Sequence, residues 1–78
     1  MKFTIRLTNG LEFTGEIVGD GGMVASLDRA QKLVRYRIRH HEMLGIETWR
    51  DNQTGDYDRA WVDPDAIVSI EEIVEKGI

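Results

Sequence analysis

The chain has 78 residues, a net charge of −4, 41% hydrophobic residues and no cysteine. This length predicts a single small domain over residues 1–78, and the composition excludes a disordered chain. Without cysteine the chain forms no disulfide and offers no thiolate ligand. No apolar run reaches the ~20 residues of a membrane helix or the shorter core of a signal peptide. The sequence therefore predicts a cytoplasmic protein without a membrane segment.

Two strands joined by a short loop are predicted first. Polar and apolar residues alternate over residues 2–8 and again over residues 11–18, which is the period of a half-buried strand. A two-residue loop would place the two apolar faces on opposite sides of the sheet. A three-residue loop with Gly10 in the left-handed conformation instead pairs Ile5 with Phe13 and makes one face apolar throughout.

A glycine-rich turn and a short strand follow. Three of the four residues 19–22 are glycine, which costs too much backbone entropy inside a strand, so this segment predicts a turn. Residues 23–26 then return as a third strand. Together the first three strands are expected to form an antiparallel meander.

Residues 27–44 are compatible with two structures. As a helix, the segment gathers its apolar residues within an arc of about 140° opposite a basic face. Ser26 then serves as the N-cap and Gly45 as the C-terminal stop. As a strand, only residues 33–39 alternate. The helix accounts for more of the segment and is the favoured prediction.

The rest of the chain predicts three further strands. Residues 46–50 and 57–62 form a hairpin around a turn-rich loop, Pro64 interrupts the sheet, and residues 67–71 form the last strand. The predicted fold class is α+β, a small bent antiparallel sheet of about five to six strands with one helix. An all-β SH3-like barrel is the alternative if residues 27–44 are not helical.

The first 27 residues resemble the first motif of Sm-like proteins, a family of small β-barrels of SH3-like fold. The matching positions are Ile5, Leu7, Asn9, Gly10, Phe13, Gly15, Ile17, Asp20, Met23 and Leu27. Near the end of the chain, Ile67-Val68-Ser69-Ile70 resembles the close of the family's second motif. The resemblance implies a small barrel that assembles into an RNA-binding ring.

Two positions depart from that family's pattern. Val24 stands where the family has an asparagine that reads an RNA base, and Asp63-Pro64 stands where it has Arg-Gly before the final strand. The net negative charge also disfavours contact with a phosphate backbone. The resemblance therefore implies a fold, whereas direct nucleic-acid binding is disfavoured.

The second hairpin carries the residues favoured as a binding surface. Its alternation places Ile46 and Val62 on one side and, on the other, Glu47, Trp49, Tyr57, Arg59 and Trp61. Both sides cannot be core in so small a domain, and tryptophan, tyrosine and arginine are enriched at binding hot spots. The alternative is that one or both tryptophans close the core. Neighbouring carboxylates are expected to meet basic groups of the partner: Asp51, Asp56, Asp58, Asp63 and Asp65.

The charges are unevenly distributed along the chain. The net charge is −1 over residues 1–26, +3 over residues 27–50 and −6 over residues 51–78. The acidic end favours a basic partner. The basic middle segment supplies a second candidate contact face on the predicted helix, formed by Lys32, Arg35, Tyr36 and Arg39.

No residue pattern predicts catalysis, a cofactor or a metal site. His40 and His41 are adjacent, so they point to different faces, and the sequence has no third histidine and no cysteine to complete a zinc site. The carboxylates lack the order of a calcium-binding loop, and no nucleophile or phosphate-binding motif is present. The protein is expected not to be an enzyme and to need no cofactor.

The predicted function is that of a protein-binding module. In size and charge the chain resembles small phage-encoded inhibitors such as anti-CRISPR proteins. That likeness implies docking on a protein or nucleoprotein in the host cytoplasm and blocking of a functional surface. The alternatives are an Sm-like RNA-binding ring and an oligomeric structural protein of a larger assembly.

Overall fold

The computed structural model describes residues 1–49 and 57–74, and the side chains of residues 1–48 and 59–74. The chain forms, in order, β1 (Phe3–Leu7), β2 (Glu12–Gly19), β3 (Gly22–Met23), α1 (Leu27–Arg39), β4 (Leu44–Trp49), β5 (Tyr57–Val62), a 3-10 turn (Pro64–Ala66) and β6 (Ile67–Glu72). In these ranges no helix is long and apolar enough to cross a membrane.

The strands form one antiparallel sheet in the order β5-β4-β2-β1-β6, with the short β3 paired to β2. Its two ends, β5 and β6, do not pair with each other in the described part of the chain, so the sheet is open rather than closed into a barrel. The α+β prediction is confirmed, and the all-β alternative is wrong because α1 forms.

The first hairpin has the predicted register. Ile5 pairs with Phe13, and the Leu7 N–H donates to the Leu11 carbonyl at 2.9 Å. Gly10 has a φ of +86°, which is the left-handed conformation that this loop requires. The third strand is shorter than predicted, because Gly22–Met23 is its whole extent and the chain then leads into the helix.

Helix α1 begins where predicted and ends earlier. The Ser26 hydroxyl accepts from the Arg29 N–H at 3.2 Å, as expected of an N-cap. The helix ends at Arg39 rather than near residue 44, and Gly45 is not its stop. The chain turns at His41, whose φ is +54°, and Leu44 and Gly45 belong to β4. Leu44 is fully buried there, so its apolar character reflects the sheet core and not a helical stripe.

The core lies between α1 and one face of the sheet. Alternate residues of β1, β2, β4 and β5 supply it, and Ala30 of α1 is buried against them. The buried residues are Phe3, Ile5, Ile17, Val24, Ala30, Leu44, Ile46 and Val62. The opposite face of the sheet, called the outer face below, carries the intervening residues and is not covered by α1.

Candidate functional site

The outer face of β4 and β5 brings several of the predicted contact residues together. Gly45 pairs with Trp61 and Glu47 pairs with Arg59 across the two strands. Directly paired residues share a face, and this face is opposite to the one that buries Ile46. The cluster of Gly45, Glu47, Arg59 and Trp61 is called the Trp61 cluster below.

Trp61 rests on the backbone of the neighbouring strand. A Cβ added to Gly45 would lie 3.2 Å from Cζ3 of the indole and 3.5 Å from Cβ of Val18. Because Gly45 has no side chain, the ring of Trp61 has room to lie against the backbone of β4. Even so, 60% of Trp61 is exposed. One side of the ring therefore contacts β4, and the other side is open to solvent.

The charged residues of the Trp61 cluster are paired with one another. The Arg59 guanidinium forms an ion pair with Glu47, and Arg59 Cζ lies 5.9 Å from the centroid of the Trp61 ring, within the range of a cation–π contact. Glu47 is paired in register with Glu16 on β2, and the Met1 amino group lies 2.7 Å from Glu16. The charges of Glu16, Glu47 and Arg59, which lie side by side across β2, β4 and β5, are therefore each paired with an opposite charge. The indole of Trp61 is the large apolar group on this face.

The remaining predicted residues of this surface are only partly placed. The backbones of Trp49 and Tyr57 are paired on β4 and β5, at the same side of the ladder as Glu47 and Arg59. Asp58 pairs with Thr48, at the alternate register position. The side chains of Trp49, Tyr57 and Asp58 lie outside the described residues, as do Asp51 and Asp56 entirely.

Asp63 and Asp65 are exposed at the 3-10 turn. The Asp63 carboxylate accepts from the Asp65 N–H at 3.0 Å and so caps the turn that leads into β6. Asp63 thus has a local structural role beside any contact with a partner.

The second predicted face lies on α1. Lys32 forms an ion pair with Asp28 at 3.0 Å, and the rings of Tyr36 and His40 pack in a tilted arrangement with centroids 4.2 Å apart. Both of these contacts are on exposed side chains. Arg35 and Arg39 are exposed and form no ion pair with the described residues.

Arg37 is the charged residue that the sequence did not single out. Only 18% of its side chain is exposed, and it forms ion pairs with Glu42 and, at 2.8 Å, with Asp20. The hydrogen bond with Glu42 is the main cause that raises the pKa of Arg37; burial opposes it and Asp20 adds to it. Arg37 thereby joins the glycine-rich turn to the segment after α1. The signal in the sequence was weak, because Arg37 is one of several arginines spaced along the helix.

Among the side chains of residues 1–48 and 59–74, no three histidine, cysteine or carboxylate groups lie together so that they could hold a metal ion. Comparison with known proteins gives no match to a protein-family model, a curated protein or a solved structure. The likeness to Sm-like proteins stays a resemblance of the residues named above.

Proposed function

We propose that the protein is a non-enzymatic protein-binding module that docks on its partner through the Trp61 cluster. The observation that supports this is the indole of Trp61, which is 60% exposed although it is seated on Gly45. A large apolar ring that stays in water contributes no core burial, whereas it gains from contact with a partner.

The seating of the ring favours its use as an anchor. Binding costs free energy for each side chain that becomes ordered. Trp61 is already restricted by β4 beneath it and by Arg59 beside it, so less ordering remains when a partner covers it. Tryptophan and arginine are also among the residue types enriched at hot spots.

The expected partner is basic. The chain carries −6 over residues 51–78, and two of these carboxylates, Asp63 and Asp65, are exposed at one end of β5. Such charges steer a basic surface toward the protein and contribute most to the rate of association. Asp51, Asp56 and Asp58 are proposed to belong to the same rim.

The narrower proposal is an inhibitor of a host nucleoprotein or protein, similar to the anti-CRISPR proteins of phages. Its support is the small size and the acidic character of the chain. An acidic surface can occupy a basic groove that otherwise holds nucleic acid, which would block that surface without catalysis.

The test compares Trp61→Ala with Tyr36→Ala in affinity capture from host lysate. Tyr36 is the matched control because it is an exposed aromatic residue on α1, in the second candidate face, so that loss of the partner with Tyr36→Ala alone would assign the contact to that face. We expect a specific partner to be captured by the wild type and by Tyr36→Ala, and to be lost with Trp61→Ala. Equal capture by all three proteins would overturn the docking role of Trp61.

A fluorescence experiment checks the same contact directly. The chain has two tryptophans, so Trp49→Phe leaves Trp61 as the single indole. Its emission is expected to be that of a solvated indole in the free protein and to shift to shorter wavelength when the captured partner is added. An unchanged spectrum at saturation would place the contact elsewhere.

An Sm-like ring is the second candidate. It is supported by the matching hairpin residues and by two sheet edges, β5 and β6, that are open in the described part of the chain. Light scattering with and without a short RNA at low salt separates the candidates. A closed oligomer that retains RNA supports the ring, an oligomer without RNA supports a structural assembly, and a monomer indifferent to RNA supports the docking module.

A further inference from the structure

A groove separates α1 from the open edge of the sheet. Its volume is about 380 Å³, and it is lined by side chains of both elements. Val34, Ile67 and Ile70 form its apolar floor, since all three pack against the core. Gln31 and Arg35 of α1 form one rim and Val68 of β6 lies on the other side. This groove, called the β6 groove below, lies away from the Trp61 cluster.

The backbone of β6 is available for pairing along this groove. β6 pairs with β1, and no other strand of the described residues pairs with its second edge. The Ile73 N–H donates to the Lys2 carbonyl at 3.0 Å, and hydrogen bonds alternate along an antiparallel ladder. Ile70 and Glu72 therefore direct their N–H and C=O groups to the open edge, where an added strand would find them.

Val68 stands out at the same edge. The pairing of β1 with β6 shifts between Arg6 and Leu7, so Val68 is the extra residue of a bulge. Its side chain is 65% exposed, next to the apolar floor of the groove. An exposed valine beside an apolar depression favours a ligand with an aliphatic side chain.

The charge at the rim is positive. Arg35 is the charged residue that lines the β6 groove, and it forms no ion pair with the described residues. Arg39 follows one helical turn later on the same ridge of α1. A carboxylate bound over the groove would pair with Arg35 without replacing an ion-pair partner among the described residues.

We propose that the β6 groove binds an extended peptide segment of a partner protein, which adds to β6 as a strand. One aliphatic side chain of the segment occupies the apolar floor beside Val68, and a neighbouring Asp or Glu pairs with Arg35. Strand addition supplies main-chain hydrogen bonds and the groove supplies the selectivity. A second copy of this chain is disfavoured as the occupant because each copy carries a net charge of −4.

The test is selection of random 12-residue peptides displayed on phage against the immobilised protein. Enriched peptides are expected to combine an aliphatic residue with an acidic one, and their affinity is then measured by fluorescence anisotropy. Arg35→Glu is expected to weaken binding about tenfold or more. A peptide in which the acidic residue is replaced by lysine should restore binding to Arg35→Glu.

Arg29→Glu is the matched control. It makes the same charge change on the same exposed helix, but Arg29 lines a separate depression beside the glycine-rich turn. Its affinity for the peptide is expected to equal that of the wild type. Trp61→Ala is also expected to bind the peptide with the affinity of the wild type. The result for the β6 groove therefore does not depend on whether the Trp61 cluster docks on a partner.

Amide hydrogen exchange locates the bound peptide. The amides of Ile70 and Glu72 are expected to gain protection in the complex. The proposal is overturned if no peptide is enriched, if Arg35→Glu binds as well as the wild type, or if the new protection lies on β5. The proposal is also overturned if the wild type self-associates and Arg35→Glu abolishes this self-association, because the groove would then bind a second copy of the chain.

Discussion

Gly15 lies where the backbone of β2 passes close to that of β4. A Cβ at this position would lie 2.0 Å from the Glu47 carbonyl oxygen, which is backbone and cannot rotate away. Gly15→Ala is therefore expected to lower the free energy of unfolding by about 2 kcal/mol or more, since the two strands must separate. Urea unfolding measures this loss.

The control for this prediction is Gly21→Ala. A Cβ on Gly21 would have no atom within 4 Å, and its φ is not in the left-handed region. The alanine variant is expected to be as stable as the wild type or about 0.5 kcal/mol more stable, because alanine restricts the unfolded chain. Equal losses in the two variants would show that general glycine entropy, rather than the contact with Glu47, sets the effect.

At the residue scale, the strand face on which Trp61 lies is predictable from the sequence, whereas the residues that surround its ring are not. Alternation along β5 separates Trp61 from Val62 without any knowledge of the fold. The seat on Gly45 depends on the pairing of β4 with β5, and nothing in the local pattern fixes that register. The local pattern therefore predicts Gly45 at a helix end, where glycine is also common.

The end of α1 gives a prediction at the scale of the element. His41 has a φ of +54°, a conformation that costs a non-glycine residue about 1 kcal/mol. His41→Gly is expected to raise the free energy of unfolding by up to ~1 kcal/mol, whereas His41→Val should lower it because a β-branched residue tolerates this conformation least. Thermal unfolding of the two variants gives the comparison, and a stabilising valine would contradict it.

The same turn explains why the helix was predicted too long. Glycine is the usual signal for a helix end, and here a histidine takes the left-handed position instead. The apolar Leu44 also continued the helical spacing by coincidence, since it is buried in β4. The N-terminal end was predictable because Ser26 has the chemistry of a cap and acts locally.

Arg37 connects three elements through its two ion pairs. Arg37→Met is expected to cost about 1 to 2 kcal/mol, because the side chain is only 18% exposed and its guanidinium bonds both Asp20 and Glu42. The matched control is Lys32→Met, which breaks the exposed pair with Asp28 and is expected to change stability by less than ~0.5 kcal/mol. Comparable losses in both variants would contradict a special role for Arg37.

The pH dependence of the Arg37 contribution follows from the direction of its pKa shift. The pKa of Arg37 is raised on folding, mainly by the hydrogen bond with Glu42. Because the pKa is raised on folding, this stabilisation is fully present below the pKa that Arg37 has in the unfolded chain, and it is lost only as the pH rises through the folded value. The stability difference between wild type and Arg37→Met is therefore expected to stay constant from about pH 6 to pH 10. Chemical denaturation across that range is the measurement.

At the scale of the molecule, β1 connects the first hairpin to the last described strand. It lies between β2 and β6 and buries Ile5 completely, so it joins the first hairpin to the last strand. The strands themselves were predictable from the sequence, but their order in the sheet was not. The alternation of each strand acts over a few residues, whereas the pairing of β1 with β6 joins segments more than about sixty residues apart.

That long-range pairing predicts cooperative unfolding. Ile5→Ala is expected to cost about 3 kcal/mol, a large share of the ~4 to 12 kcal/mol typical of a domain of 78 residues. Ile5→Val, which keeps the shape of the site, should cost about 1 kcal/mol. Because Ile5 of β1 and Ala30 of α1 belong to the same core cluster, the loss should reach every element. Tryptophan fluorescence, which reports on β4 and β5 through Trp49 and Trp61, and far-UV circular dichroism, which reports on α1, are therefore expected to shift to the same lower urea midpoint. A helix that unfolds separately from the sheet would show that the two layers are held by independent contacts.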